Sequence, residues 1–270
     1  MKQRLRIVDA FTDQPFSGNP AAVVVLDEVA PDAWMAVLAR EMNLSETAFV
    51  VRDGAPDGGF GLRWFTPRVE VNLCGHATLA AAHCLFEDGL VGAAHFATRG
   101  GALTVNRASD GSLTMDFPAA PAAKIDDSQE LAAALGAPLL WAGRAHIDQL
   151  LAVVADETAV RSVAPDLVAL AQFDVDGVIV TAVADAGNDY DFVSRMFAPR
   201  VGIPEDPVTG SSHTVLGPYW AGQLGKDSLV ALQVSDRAGR VGVEVRGDRV
   251  LLTGRATTVL DGTVVGASAR

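Results

Sequence analysis

Apolar residues recur along this chain with two different periods. Runs at 5–11 (LRIVDAF), 21–26 (AAVVVL) and 46–52 (ETAFVVR) read as strands, with a turn at Ser17-Gly18-Asn19-Pro20 between the first two. Residues 31–43 (PDAWMAVLAREMN) carry the spacing of an amphipathic helix, with Pro31 near its start. Farther on, 149–156 (QLLAVVAD) and 176–184 (DGVIVTAVA) read as strands, with a helix over 165–173 (PDLVALAQF) between them.

The second half of the pattern repeats the first. Residues 63–71 (RWFTPRVEV) and 195–203 (RMFAPRVGI) are identical at five of nine positions, namely Arg63/Arg195, Phe65/Phe197, Pro67/Pro199, Arg68/Arg200 and Val69/Val201. Each block runs into a glycine and a helix-like stretch, from Gly75 in one and from Gly210 in the other, with three extra residues before the second. The helices are expected to stop at Gly89 and Gly222. A glycine-marked strand pair follows each, at 98–117 and at 235–254. The chain therefore reads as two diverged copies of one α/β unit, with a seam at 117–125 (FPAAPAAKI). The expected division is 1–120, then 121–258, with 259–270 a strand returning to the first lobe.

Composition narrows the function. A hydrophobic fraction of 49% with 20% charged residues belongs to a packed globular protein. A formal charge of -12 argues against nucleic acid and favours a small partner. No apolar run approaches the roughly 20 residues that span a bilayer, and the polar start is unlike a signal peptide, so a cytoplasmic location is expected. Cys74 and Cys84 are ten apart on one helical stretch, ~15 Å by helix rise, which excludes a disulfide. Neither a metal nor a nucleotide motif is present.

The candidate chemistry sits where the two helices begin: Asn72-Leu73-Cys74-Gly75-His76 in the first copy, Asp206-Pro207-Val208-Thr209-Gly210-Ser211-Ser212-His213 in the second. Helix N-termini expose unpaired N–H groups and partial positive charge, so two such ends across a cleft would hold a small carboxylate. Ordinary capping by Asp206 and Ser211 is the plain alternative.

The runs GNPAAVV (18–24), SETAFV (45–50), FTPRVEVNLCGHATLAAA (65–82) and RMFAPRVGIPEDPVTGSSH (195–213) resemble the signature segments of the phenazine-biosynthesis isomerase (PhzF-like) family, in the family's order. The resemblance implies an α+β fold like diaminopimelate epimerase, with two pseudo-symmetric lobes, each a curled, mostly antiparallel sheet around a central helix. It also implies a cofactor-free isomerase, commonly a homodimer, in which one glutamate moves a proton on a small cyclic carboxylate. Residue by residue, that glutamate matches Glu46, the histidine His76, and the acid and serine of the second motif Asp206 and Ser211. Gly75 matches the backbone position beside the histidine, and His213 is carried as a further substrate-binding candidate. Such a glutamate must act as base and then acid, so burial should lift its pKa toward neutral. At a helix start the pKa of His76 should fall. His83, His95 and His146 read as structural or surface residues.

A two-thiol racemase on the same fold would need a cysteine at each helix start. Cys74 fills the first place, and the second falls at Pro207, so Cys74 reads as a packing residue and Glu46, outside the repeat, as the single proton carrier. A non-catalytic small-molecule binder on this fold is the rival of another class.

Overall fold

The computed structural model describes residues 2–52, 54–55 and 59–265. The chain divides into two compact units, one running to Asp116 and resuming at Thr253, the other spanning Phe117–Leu252. Among the described residues no helix is long and apolar enough to cross a membrane.

In the first unit the strand Lys2–Ala10 pairs antiparallel with Asn19–Leu26 on one side and with Ala256–Val265 on the other. The helix Asp32–Met42 then carries the chain over to Glu46–Val51, parallel to Asn19–Leu26. Phe60–Phe65 pairs antiparallel with Glu46–Val51, and Glu70–Val71 with Phe60–Phe65. Next comes the helix Gly75–Glu87, and its exit leads to Ala94–Thr98, parallel to Phe60–Phe65. Continuous apolar runs such as Ala21–Leu26 are buried on both faces. One face meets Gly75–Glu87 and the other joins the cluster of Leu5, Met35, Leu38, Phe49 and Phe65. Inside Gly75–Glu87 the small side chains of Ala77, Ala80, Ala81 and Ala82 let strands approach from several sides, and all four are fully buried.

The second unit takes the same path. Trp141–Ala145 pairs antiparallel with Gln149–Val153, which runs parallel to Gly177–Val183. Phe192–Ala198 lies antiparallel to Gly177–Val183, and Ile203–Asp206 to Phe192–Ala198. The helix Gly210–Leu224 follows, and Ser228–Gln233 returns parallel to Phe192–Ala198. Pro218 lies inside that helix and cannot bond the carbonyl four residues back. That carbonyl, of Thr214, instead accepts from the Ala120 N–H at 3.0 Å.

Two local expectations are corrected. The second helix does not stop at Gly222 but runs to Leu224 and ends at Gly225, in left-handed backbone with φ 67°. The helix expected over 165–173 is one turn, Leu167–Leu170, capped by Asp166, whose carboxylate accepts from the N–H groups of Val168 and Ala169. The chain also forms helices at Gln129–Leu135 and Glu157–Ser162, too short to set up a readable periodicity.

Candidate active site

The repeated blocks meet the two helix starts through matching ion pairs. Arg63 grips the Glu70 carboxylate with two bonds of 2.7 Å, and Arg195 grips Glu205 with two of 2.8 Å. Each guanidinium also lies over the repeated phenylalanine, 5.1 Å from the Phe65 centroid and 4.8 Å from that of Phe197. These pairs fix which residues correspond. With Glu70 equivalent to Glu205, Val71 matches Asp206, Cys74 matches Thr209, Gly75 matches Gly210, His76 matches Ser211 and Thr78 matches His213.

Two expectations change as a result. The counterpart of Cys74 is Thr209, not Pro207: both are extended N-cap residues, at φ -149°, ψ 111° and φ -112°, ψ 105°. The extra residues fall before Asp206, where the strand pairing shifts register between Met196 and Ala198. Glu46, moreover, lies inside the repeat. Thr47 pairs with Phe65 and Val178 with Phe197, so Glu46 corresponds to Gly177. The second copy has no acid there; the end of the Met196 side chain packs against Gly177 instead.

In the first unit, three elements bring four polar side chains together. Asn19 opens one strand and is 0% exposed; Glu46 opens the neighbouring strand and is 9% exposed; Cys74 and His76 flank Gly75 at the helix start, 8% and 5% exposed. The His76 Nε2 is 3.3 Å from Glu46 Oε2, and its Nδ1 is 3.2 Å from Asn19 Nδ2 and 3.6 Å from Cys74 Sγ. The helix start is tied down by Thr78, whose hydroxyl donates to the Cys74 carbonyl at 2.6 Å. Asn19 is aimed by the residue before it: Gly18 has φ +66°, and a Cβ there would overlap the Ala10 carbonyl oxygen.

Burial pushes the His76 pKa down to about 3, so the ring is neutral near pH 7 and its contact with Glu46 is not an ion pair. The hydrogen-bond network assigns the tautomer. Ser45 Oγ donates to Asn19 Oδ1 at 3.3 Å, which leaves the Asn19 amide N–H to donate to Nδ1. Nδ1 therefore accepts, and the ring proton sits on Nε2, toward Glu46.

The second unit carries its own polar cluster. The Thr209 hydroxyl donates to the Asp206 carboxylate, and the Thr209 N–H donates to Gln233 Oε1 at 2.9 Å. Gln233 Nε2 donates to the Asp206 carbonyl at 2.7 Å. Gln149 donates to Ser211 Oγ at 3.2 Å and accepts from Ser212 Oγ at the same distance. Neither glutamine was singled out from sequence, although a glutamine in an apolar strand is a signal of a buried polar network.

His213 is placed apart from the Ser211 side chain. It is 0% exposed, with its ring centroid 6.2 Å from that of Phe192, and its Nδ1–H donates to the Thr209 carbonyl at 2.7 Å. Burial lowers its pKa from 6.5 to about 4, only partly opposed by that bond. An unfolded histidine takes up its proton near 6.5, the folded one near 4, so stability falls as pH drops through this window, by ~3 kcal/mol in all. Urea unfolding at pH 7 and pH 5 is expected to show about 2 kcal/mol more acid sensitivity in the wild type than in His213→Gln. Equal sensitivity would remove the buried neutral ring as its cause.

Comparison with known proteins agrees with this architecture. A family model described as phenazine biosynthesis-like protein matches residues 8–262. An uncharacterized isomerase of Pseudomonas aeruginosa is 49% identical over 266 residues, 98% of this chain and 99% of the relative. The crystal structure of a PhzF-family phenazine biosynthesis protein from Enterococcus faecalis matches with a TM-score of 0.92 at 43% identity, covering 98% of this chain and 99% of that one. A hydroxyproline epimerase from Agrobacterium vitis, 14% identical with a TM-score of 0.60 over 97% of this chain and 91% of that one, shares the α+β fold.

Proposed function

Because the chain belongs to the phenazine biosynthesis-like (PhzF) family, we propose that it is an isomerase that shifts a proton within a small, carboxylate-bearing cyclic substrate, with Glu46 as the one acid/base. The observation that carries this is the placement of Glu46: a nearly buried carboxylate facing the N–H of a neutral histidine, whose counterpart in the other copy is a glycine. His76 supplies a hydrogen bond, either to the carboxylate or to an oxygen on which charge gathers as the proton leaves. A carboxylate alone can take the proton from one carbon and return it to another, so the shift calls for no cofactor. Asp206, Ser211 and the backbone at Gly75 are the further substrate-binding groups of this reading, Asp206 for an amine or hydroxyl and Ser211 for the carboxylate.

Epimerisation by two bases is less well supported. Bases attacking opposite faces of one carbon stand ~6–7 Å apart, each ~3–3.5 Å from it. Ligand-type atoms of Glu46 and Cys74 lie within 4.8 Å of each other, closer than such a pair, and the helix-start counterpart of Cys74 is Thr209, which has no thiol.

The distinguishing measurement follows the proton itself. A substrate deuterated at the donor carbon and turned over in ordinary water should keep part of its deuterium at the acceptor carbon, because the nearly buried Glu46 exchanges slowly with solvent. Complete washout at the earliest turnovers would count against a single carrier.

A further inference from the structure

Glu46, Cys74 and His76 bring a carboxylate oxygen, a thiol sulfur and an imidazole nitrogen within 4.8 Å of one another. These are the three donor types that Zn2+ accepts in proteins. Bond lengths of ~2.3 Å to sulfur and ~2.0–2.1 Å to nitrogen or oxygen, at a tetrahedral angle, put sulfur about 3.6 Å from nitrogen and nitrogen about 3.4 Å from oxygen. Cys74 Sγ is 3.6 Å from His76 Nδ1, and His76 Nε2 is 3.3 Å from Glu46 Oε2. The ring can ligate through one nitrogen at a time, so closing the set needs small adjustments of side chains already in reach. A second observation points the same way: His76 Nε2 is buried and, although 3.3 Å from Glu46 Oε2, makes no hydrogen bond of good geometry.

We propose that Glu46, Cys74 and His76 form a binding site for a thiophilic divalent cation of the Zn2+ type, completed by solvent at its open position. On binding, the Cys74 thiol releases its proton to solvent and coordinates as thiolate. With Nε2 on the metal the ring proton moves to Nδ1, where the Asn19 amide can accept it by turning its oxygen inward, the outer-shell partner such sites use. The site was not readable from spacing, because its ligands come from a strand and a helix start separated by a strand pair. A bound ion would hold Glu46 away from substrate and so stop the proton shift reversibly. That consequence rests on the reaction proposed above, whereas binding does not.

Equilibrium dialysis of the full chain against Zn2+ alone, without substrate, tests the site. The wild type should retain one ion per chain, and Co2+ in its place should give a sulfur-to-metal absorption band. Cys74→Ser should abolish the band, and both it and His76→Gln should weaken Zn2+ binding by 10-fold or more; either variant suffices if the other does not fold. Cys84→Ser is the control, since that second thiol is buried with its pKa pushed up to about 12 and lies outside the cluster. Absence of stoichiometric binding, or binding unchanged in the folded Cys74 and His76 variants, overturns the site. Both results are independent of whether any substrate turns over.

Discussion

Replacing Glu46 by glutamine is expected to lower turnover by about 10³-fold or more, the upper part of what one general acid/base supplies, while substrate affinity changes by only a few-fold. Glutamine has the same shape as glutamate, so it leaves no cavity in a strand whose six residues are all largely buried. Its amide oxygen can stand where Glu46 Oε2 stands, 3.3 Å from His76 Nε2, so the neighbouring ring keeps its place. What it lacks is a basic lone pair at neutral pH. In the duplicated partner strand the matching residue is Gly177, so no equivalent carboxylate stands in the second copy to take over. The measurement is deuterium incorporation from D2O into bound substrate, read by NMR beside ligand affinity. Exchange that continues at the wild-type rate in Glu46→Gln would remove Glu46 from the chemistry, whatever happens to binding.

Much of the fold was written locally. The continuous apolar run at 21–26 and the alternating strand pairs needed no tertiary information, and the repeated RxFxPRV blocks declared the duplication. What failed was register. Sequence overlay matched Val71 with Ile203 in the repeated blocks, and the counterpart of Cys74 was placed at Pro207. A strand irregularity between Met196 and Ala198 takes up one of the three extra residues before Asp206, the strand pair being longer by the rest, and only the paired Arg63–Glu70 and Arg195–Glu205 bridges reveal where. Both charged pairs were present in the sequence, at different spacings, so a search for them rather than for identical residues would have found the right alignment. The equivalence of Glu46 and Gly177 was hidden as well, because it is set by pairing to Phe65 and Phe197 and by no likeness of side chain. Glu46, His76 and Asp206 were legible through motif resemblance. Asn19, Gln149 and Gln233 were not, because their work is to hold other side chains, and such work shows only in three dimensions.

Asn19 is the residue of that group with the largest expected effect. In the orientation that the Ser45 bond favours, its amide N–H makes His76 Nδ1 the acceptor and so sends the ring proton to Nε2, 3.3 Å from Glu46 Oε2. Aspartate in its place has only acceptor oxygens at neutral pH. It would draw a proton onto Nδ1, leaving either a bare Nε2 lone pair against the Glu46 carboxylate or a charged ring whose pKa is lifted well above about 3. The first outcome repels the carboxylate; the second ties it up in an ion pair. Asn19→Asp is therefore expected to cut kcat by roughly 10²-fold with a small change in KM, since a wrong histidine tautomer disables catalysis with the geometry otherwise intact. The ¹⁵N shifts of the His76 ring report the cause directly: a protonated Nε2 and bare Nδ1 in the wild type, with Nδ1 protonated in the variant. A purely structural role for Asn19 would lower thermal stability and leave that pattern as it was. An unchanged tautomer in a folded Asn19→Asp enzyme would mean that something other than Asn19 orients His76 toward Glu46.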